Sequence, residues 1–290
     1  MTWLPTTKKE LERLGWDHLD VILFSADAYV DHPSFAAAVI GRVLEAEGLK
    51  VAIVPQPDWH GDFRDFKKLG RPRLFFGIAP GAMDSMVNKY TANKRLRSED
   101  AYSPDGRHDL RPEYPTIVYT RILKELFPDV PVVIGGIEAS MRRLTHYDYW
   151  QDKLLPSILV PSGADLLIYG MGEKPMISLE QLLVEQDCEI DVKMFRNLMA
   201  RFPQKQTVSL LQKNEIPGGI RPDDILLHSH EECLRNKKAQ AENFRHIEEE
   251  SNKYAAQRII QPINCQLSTV NSQLIPRRQP TLSTPHTRRA

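Results

Sequence analysis

The sequence predicts an α/β fold: a doubly wound parallel sheet with a helical carboxy-terminal extension. Two observations carry that prediction. Short apolar strands alternate with helical stretches from Leu19 to about residue 185, and parallel neighbours joined by helical crossovers are what such alternation allows. The 290-residue chain is also long enough to bury a core without disulfides.

The elements follow in order. LDVILFSADAYVD, from Leu19, reads as a buried strand running into a polar loop. Pro33 opens a helix whose apolar residues Phe35, Val39, Val43 and Leu44 share a face and whose stop is Gly48. KVAIVPQ, from Lys50, completes a βαβ unit. A short helix FRDFKKLG, a strand RLFFGIA, a helix TIVYTRILKELF, the strands VPVVIGG and ADLLIYG, and a helix ISLEQLLVEQ continue the rhythm. Residues 1–190 are therefore expected to form one Rossmann-like α/β domain.

One stretch breaks the pattern. Gly81 to Pro115 is polar, basic in its middle and bounded by Gly and Pro, and loops of that length in a compact domain are functional or mobile. It follows the third strand, on the edge where doubly wound sheets bind ligands. Its NKRLRSED run could meet phosphate or RNA, but Glu99 and Asp100 blunt the charge and no aromatic–Arg platform is apparent, so a solvated loop is expected.

Residues 191–261 read as a helical extension or linker. A turn at Pro217–Gly219 precedes one long polar helix from about Ser229 to Gln261, with a thin apolar stripe of Leu234, Phe244, Ile247 and Tyr254. Residues 262–290 contain no Asp, Glu, Lys or Gly but four Pro and four Arg. They are expected to be disordered or the product of a shifted reading frame.

Global composition excludes several classes. With 38 Lys and Arg against 38 Asp and Glu, the chain carries no net field that would recruit nucleic acid or anionic lipid. The start is charged and interrupted by Pro5, and no apolar run reaches membrane length, so a cytoplasmic protein without a membrane partner is expected. Cys188, Cys233 and Cys265 are spaced neither as a disulfide framework nor as a metal site and read as free thiols.

Several long stretches, in order, resemble the YgiQ family. They are LPTTKKELERLGWDHLD, DAYVDHPSFAAAVIGRVLEAEGLKVAIVPQPDW, SMVNKYTANKRLRSEDAYSPDG, GGIEASMRRLTHYDYW, ADLLIYGMGEKP and HSHEECLRNKKAQAENFRHIEEESN. The resemblance runs from Leu4 to Gln261. It implies an amino-terminal domain that precedes a radical SAM barrel, where a Cys-x3-Cys-x2-Cys loop holds a four-iron four-sulfur cluster and S-adenosylmethionine is cleaved. Three thiolates leave one iron open to the cofactor's amino acid moiety. This sequence has no such spacing, so no cofactor is expected in this chain, no catalytic or metal-ligating residue is assigned, and the missing barrel is its expected partner.

A small-molecule ligand site is the other expectation, formed by Asp27, Asp31, Gly135, Gly136, Arg142, Gly170, Gly172 and Glu173. Gly135–Gly136 ends a strand and opens IEASMRR, which suits either an anion at a helix start, with Arg142 nearby, or a tight turn that needs small residues. GMGEKP repeats the arrangement, with Glu173 near a helix N-terminus. Asp27 and Asp31 follow the first strand, where Asp31 is either part of a shared crevice or the cap of the helix opened by Pro33. The pairing of GGIEAS with GMGE also has a fold-level likeness to cobalamin-binding domains, but the Asp-x-His-x-x-Gly that presents a histidine to cobalt is missing. HYDYW, from His146 to Trp150, reads as aromatic packing.

Overall fold

A computed structural model describes residues 3–29, 32, 35–199, 206–210, 219–251, 253 and 256–263. The chain enters through α1 (Lys8–Leu14), which a capping box starts and a left-handed glycine ends. Thr7 accepts the Glu10 amide, the Glu10 carboxylate returns to the amide of Thr7 at 2.9 Å, and Gly15 stops the helix at φ 67°. Eight parallel-sheet and flanking elements follow: β1 (Val21–Ser25), α2 (Ala36–Ala46), β2 (Val51–Pro55), α3 (Arg64–Lys67), β3 (Phe75–Ala79), α4 (Ser85–Lys89), α5 (Pro115–Leu126) and β4 (Val132–Ile134). Next come α6 (Gly136–Met141), the antiparallel hairpin β5 (His146–Asp148) and β6 (Lys153–Leu155), α7 (Leu159–Ser162), β7 (Leu166–Ile168), α8 (Glu173–Val184), α9 (Val192–Met199) and β8 (Thr207–Val208).

The main sheet has the order β2-β1-β3-β4-β7-β8, parallel except for β8, which runs antiparallel to β7. The predicted α/β doubly wound fold is thus the one observed. Every strand residue from Val21 to Ser25 is buried, as a strand covered on both faces requires. Alternate residues feed two cores. Ile22, Phe24, Val54, Phe76, Ile78 and Ile134 pack with Tyr119, Ile122 and Leu123 of α5 on one face. Val21, Leu23, Ile53, Phe75, Val133 and Ile168 pack with α2, α8 and α9 on the other.

The helix expected to open at Pro33 starts at Ala36, with Phe35 in the cap position and no side chain capping it; Pro33 and Asp31 lie outside the described residues. The 81–115 stretch is built rather than open. It holds α4, a short 3₁₀ turn at Pro104–Gly106, and bridges between Tyr90 and Leu96 and between Glu99 and Arg107. The single long helix expected after Ser229 is two, α10 (His230–Arg235) and α11 (Lys237–Ser251), broken at the extended Asn236 and followed by a strand β10 (Ile259–Ile260) parallel to β9 (Ile225–Leu226). Of the thin apolar stripe, Leu234 and Phe244 are exposed, while Cys233, Ala239, Asn243 and Glu250 are buried. Asn243 explains part of this, since its amide donates to the His228 carbonyl at 2.9 Å and its Oδ1 accepts the His228 amide at 2.8 Å. Tyr254 and residues 264–290, all but the first two residues of the expected tail, lie outside the described residues. Among the described residues no helix is long and apolar enough to cross a membrane.

Candidate functional site

The direction of winding reverses between β1 and β3, and ligands of open α/β sheets bind beyond the carboxyl ends of the strands at such a point. Asp27 lies there, two residues past β1 and fully buried. Its Oδ2 accepts the Ala82 amide at 2.7 Å, and its Oδ1 lies 3.1 Å from Arg111 Nη1, an ion pair without the alignment of a hydrogen bond. Arg111 also donates through Nε (3.2 Å) and Nη2 (3.0 Å) to the Asp100 carboxylate, which accepts the Tyr102 amide at 2.9 Å and the Ser103 hydroxyl at 2.9 Å.

Two carboxylates therefore share one buried guanidinium, and their charges respond differently. Burial raises the Asp27 carboxyl above its ordinary range despite Arg111. Burial acts upward on Asp100 too, but Arg111 and the Tyr102 amide outweigh it and hold that group low. Gly81 makes the approach feasible: at φ 130° a Cβ there would sit 2.5 Å from Asp27 Oδ1. The crevice at the reversal is thus filled by the chain's own 81–115 segment.

A second network lies beside it. Glu138, on α6, is fully buried. It accepts the Thr116 amide at 3.0 Å and the Ser85 hydroxyl, and burial pushes its carboxyl up. Asp84 caps α4 through the Met86 amide at 3.1 Å and is ion-paired with Arg142, whose guanidinium lies 5.3 Å from the centre of the Tyr114 ring. Tyr114 in turn donates to Asp148 at 2.7 Å. The hairpin then fastens the loop: Tyr149 donates to the Ala92 carbonyl at 2.8 Å and Lys94 sits 4.7 Å over the Tyr149 ring.

The expected site residues separate into groups. Gly135 and Gly136 follow β4, Gly170 and Gly172 follow β7, and the two strands are neighbours. Their closeness is used in packing. The Gly170 amide donates to Ser140 Oγ at 3.1 Å, a Cβ on Gly135 would lie 3.3 Å from the Ile168 carbonyl, and one on Gly136 (φ 80°) would lie 3.1 Å from Pro80. Glu173 is in the first turn of α8, half-buried, with Gly172 as its cap residue. Arg142 is turned toward Asp84 and Tyr114, and Asp27 is reached only across β3.

Sequence reasoning missed Arg111, Asp100, Asp84 and Glu138. The signals available were weak: Asp84 before SMVNK is a plain cap signature, and Glu138 stands alone in GGIEAS. A cleft lined by Tyr114, Arg142, His146 and Gln151 has about 30 Å³ of free space, room on the scale of a water rather than a nucleotide. His146 Nδ1 lies 3.0 Å from the Leu144 carbonyl, its Nε2 has no hydrogen-bond partner among the described residues, and burial lowers its basicity.

Cys188 is exposed and Cys233 buried, both free, and Cys265 lies outside the described residues. Among the described residues no group of three His, Cys, Asp or Glu side chains could hold a metal ion.

Comparison with known proteins gives one family, described as Radical SAM N-terminal, which matches residues 3–287. A UPF0313 protein of Bacteroides thetaiotaomicron is 66% identical over 93% of this chain and 43% of its own length. One from Porphyromonas gingivalis is 65% identical over 93% of this chain and 41% of its own. The UPF0313 protein YgiQ of Escherichia coli is 47% identical over 78% of this chain and 29% of its own. The chain thus spans less than half the length of these relatives. No solved structure matches it.

Proposed function

The chain belongs to the Radical SAM N-terminal family, of YgiQ type, and from that premise we propose that it is the non-catalytic α/β region of a radical SAM protein. In this reading the four-iron four-sulfur cluster and S-adenosylmethionine are held by the part of the longer relatives that lies outside the match. That part would supply the radical chemistry, and this region would support it. The observation that carries the reading is the cysteine pattern: residues 188, 233 and 265 cannot present three thiolates to one cluster from a single short loop. The residues described above add to it, since the charged groups at the carboxyl edge are committed to one another. Free thiols at Cys188 and Cys233 fit a reducing compartment, and we place the chain in the cytoplasm.

Thermal unfolding with and without added ligand tests the reading, because a ligand that binds the folded state raises the midpoint. S-adenosylmethionine, ATP and NAD, each at saturating concentration, are expected to leave the midpoint of this chain unchanged. A clear rise with any of them would instead make the chain a ligand-binding module in its own right.

A further inference from the structure

We propose that the carboxyl edge of the main sheet is the surface on which the remaining part of the longer family members packs. The proposal rests on the reading above for the nature of the occupant, and on this chain's geometry for the surface. Five apolar side chains stand exposed there: Met171 (74%), Met141 (57%), Val87 (45%), Ile137 (43%) and Met83 (37%). They are neighbours through the elements that carry them. Ile137 and Met141 are one turn apart on α6, which is joined to α4 by the Ser85–Glu138 and Asp84–Arg142 contacts and to the segment after β7 by the Gly170–Ser140 hydrogen bond. Exposed apolar side chains carried on adjoining elements are what an interaction surface requires, and methionine adapts to the shape of what covers it.

Position singles out one occupant. Gln261 accepts the Thr145 amide at 2.9 Å through Oε1, and His230 Nδ1 lies 3.2 Å from Thr145 Oγ1, so the last described segment is anchored four residues beyond Met141. The relatives are more than twice as long as this chain, and Gln261 sets its last described segment beside the residues that follow α6, which is why we infer their remaining part as the occupant. Arg143, two residues before Thr145, donates to Ser251 at the end of α11 at 3.3 Å, a second tie between this segment and the residues after α6.

Hydroxyl-radical footprinting of this chain and of the full-length Bacteroides thetaiotaomicron relative tests the proposal. Labelling is read on the peptides matching residues 136–142 and 170–173, each normalised to the same peptide in urea. This chain should label nearly as in urea, and the relative roughly five-fold less, as the desolvated core of an interface would. Equal labelling of the two proteins would overturn the proposal. So would protection in this chain that grows with concentration alongside a dimer in sedimentation, since the occupant would then be a second copy. Failure of the radical SAM reading is distinguishable, because it would appear as a relative that takes up no iron or sulfide whatever its footprint.

Discussion

Arg111 is the residue on which the carboxyl edge depends most. It neutralises two carboxylates that are both buried, so Arg111→Met should cost about 3–5 kcal/mol in urea unfolding, the range found when one member of a buried ion pair is removed. Gly81→Ala should also destabilise, by at least about 2 kcal/mol, because it combines a left-handed backbone with a 2.5 Å approach to Asp27. Gly15→Ala, with open space around it, should cost only the backbone strain, about 1 kcal/mol. Glu138 makes a pH prediction. Its folded carboxyl is raised above the ordinary 4.5, so the protonated form stabilises the fold, and that stability is lost as pH rises from 4.5 through the folded value. Glu138→Gln should remove this decline, and urea midpoints of the two proteins between pH 4 and pH 8 would show their difference moving in favour of the variant. A difference that stays constant with pH would count against a buried, raised carboxyl.

Among the elements, the helix caps show how similar local signals differ in consequence. Thr7 caps an exposed surface helix, and Thr7→Ala should cost about 1 kcal/mol. Asp84 caps α4 and also neutralises the buried Arg142, so Asp84→Ala should cost several-fold more, about 3–5 kcal/mol. Equal losses in thermal or urea unfolding would mean that the Asp84–Arg142 pair contributes nothing. The strands and their helices were legible in the sequence because strands buried on both faces read as apolar runs, and α5 and α8 carry clear inward faces. The hairpin β5–β6 was not. Its three-residue strands lie within HYDYW and KLL, where aromatic content gave a packing expectation but no partner, and the partner proved to be the 81–115 segment. The break between α10 and α11 escaped as well, because Asn236 in an extended conformation is a tertiary choice that no periodicity announces.

For the whole molecule, chain order predicted the doubly wound class but not the strand order or the meeting of Asp27 with Arg111, which come together only once β1 and β3 pair. The expected glycines do gather on adjacent strands, yet what they do there, admitting Pro80, Ile168 and Ser140 at close range, depends on neighbours that sequence spacing does not specify. Asp27, Asp84, Asp100 and Glu138 are bonded or ion-paired within the fold, and apolar side chains of α4, α6 and the segment after β7 are among those left outward. This arrangement fits the proposal that the region supports another part of a longer protein. Anaerobic incubation with iron and sulfide, followed by metal analysis, tests this most directly. The full-length Bacteroides thetaiotaomicron relative should take up iron and sulfide in near-equal amounts while this chain takes up none. Stoichiometric iron and sulfide on this chain would contradict the account.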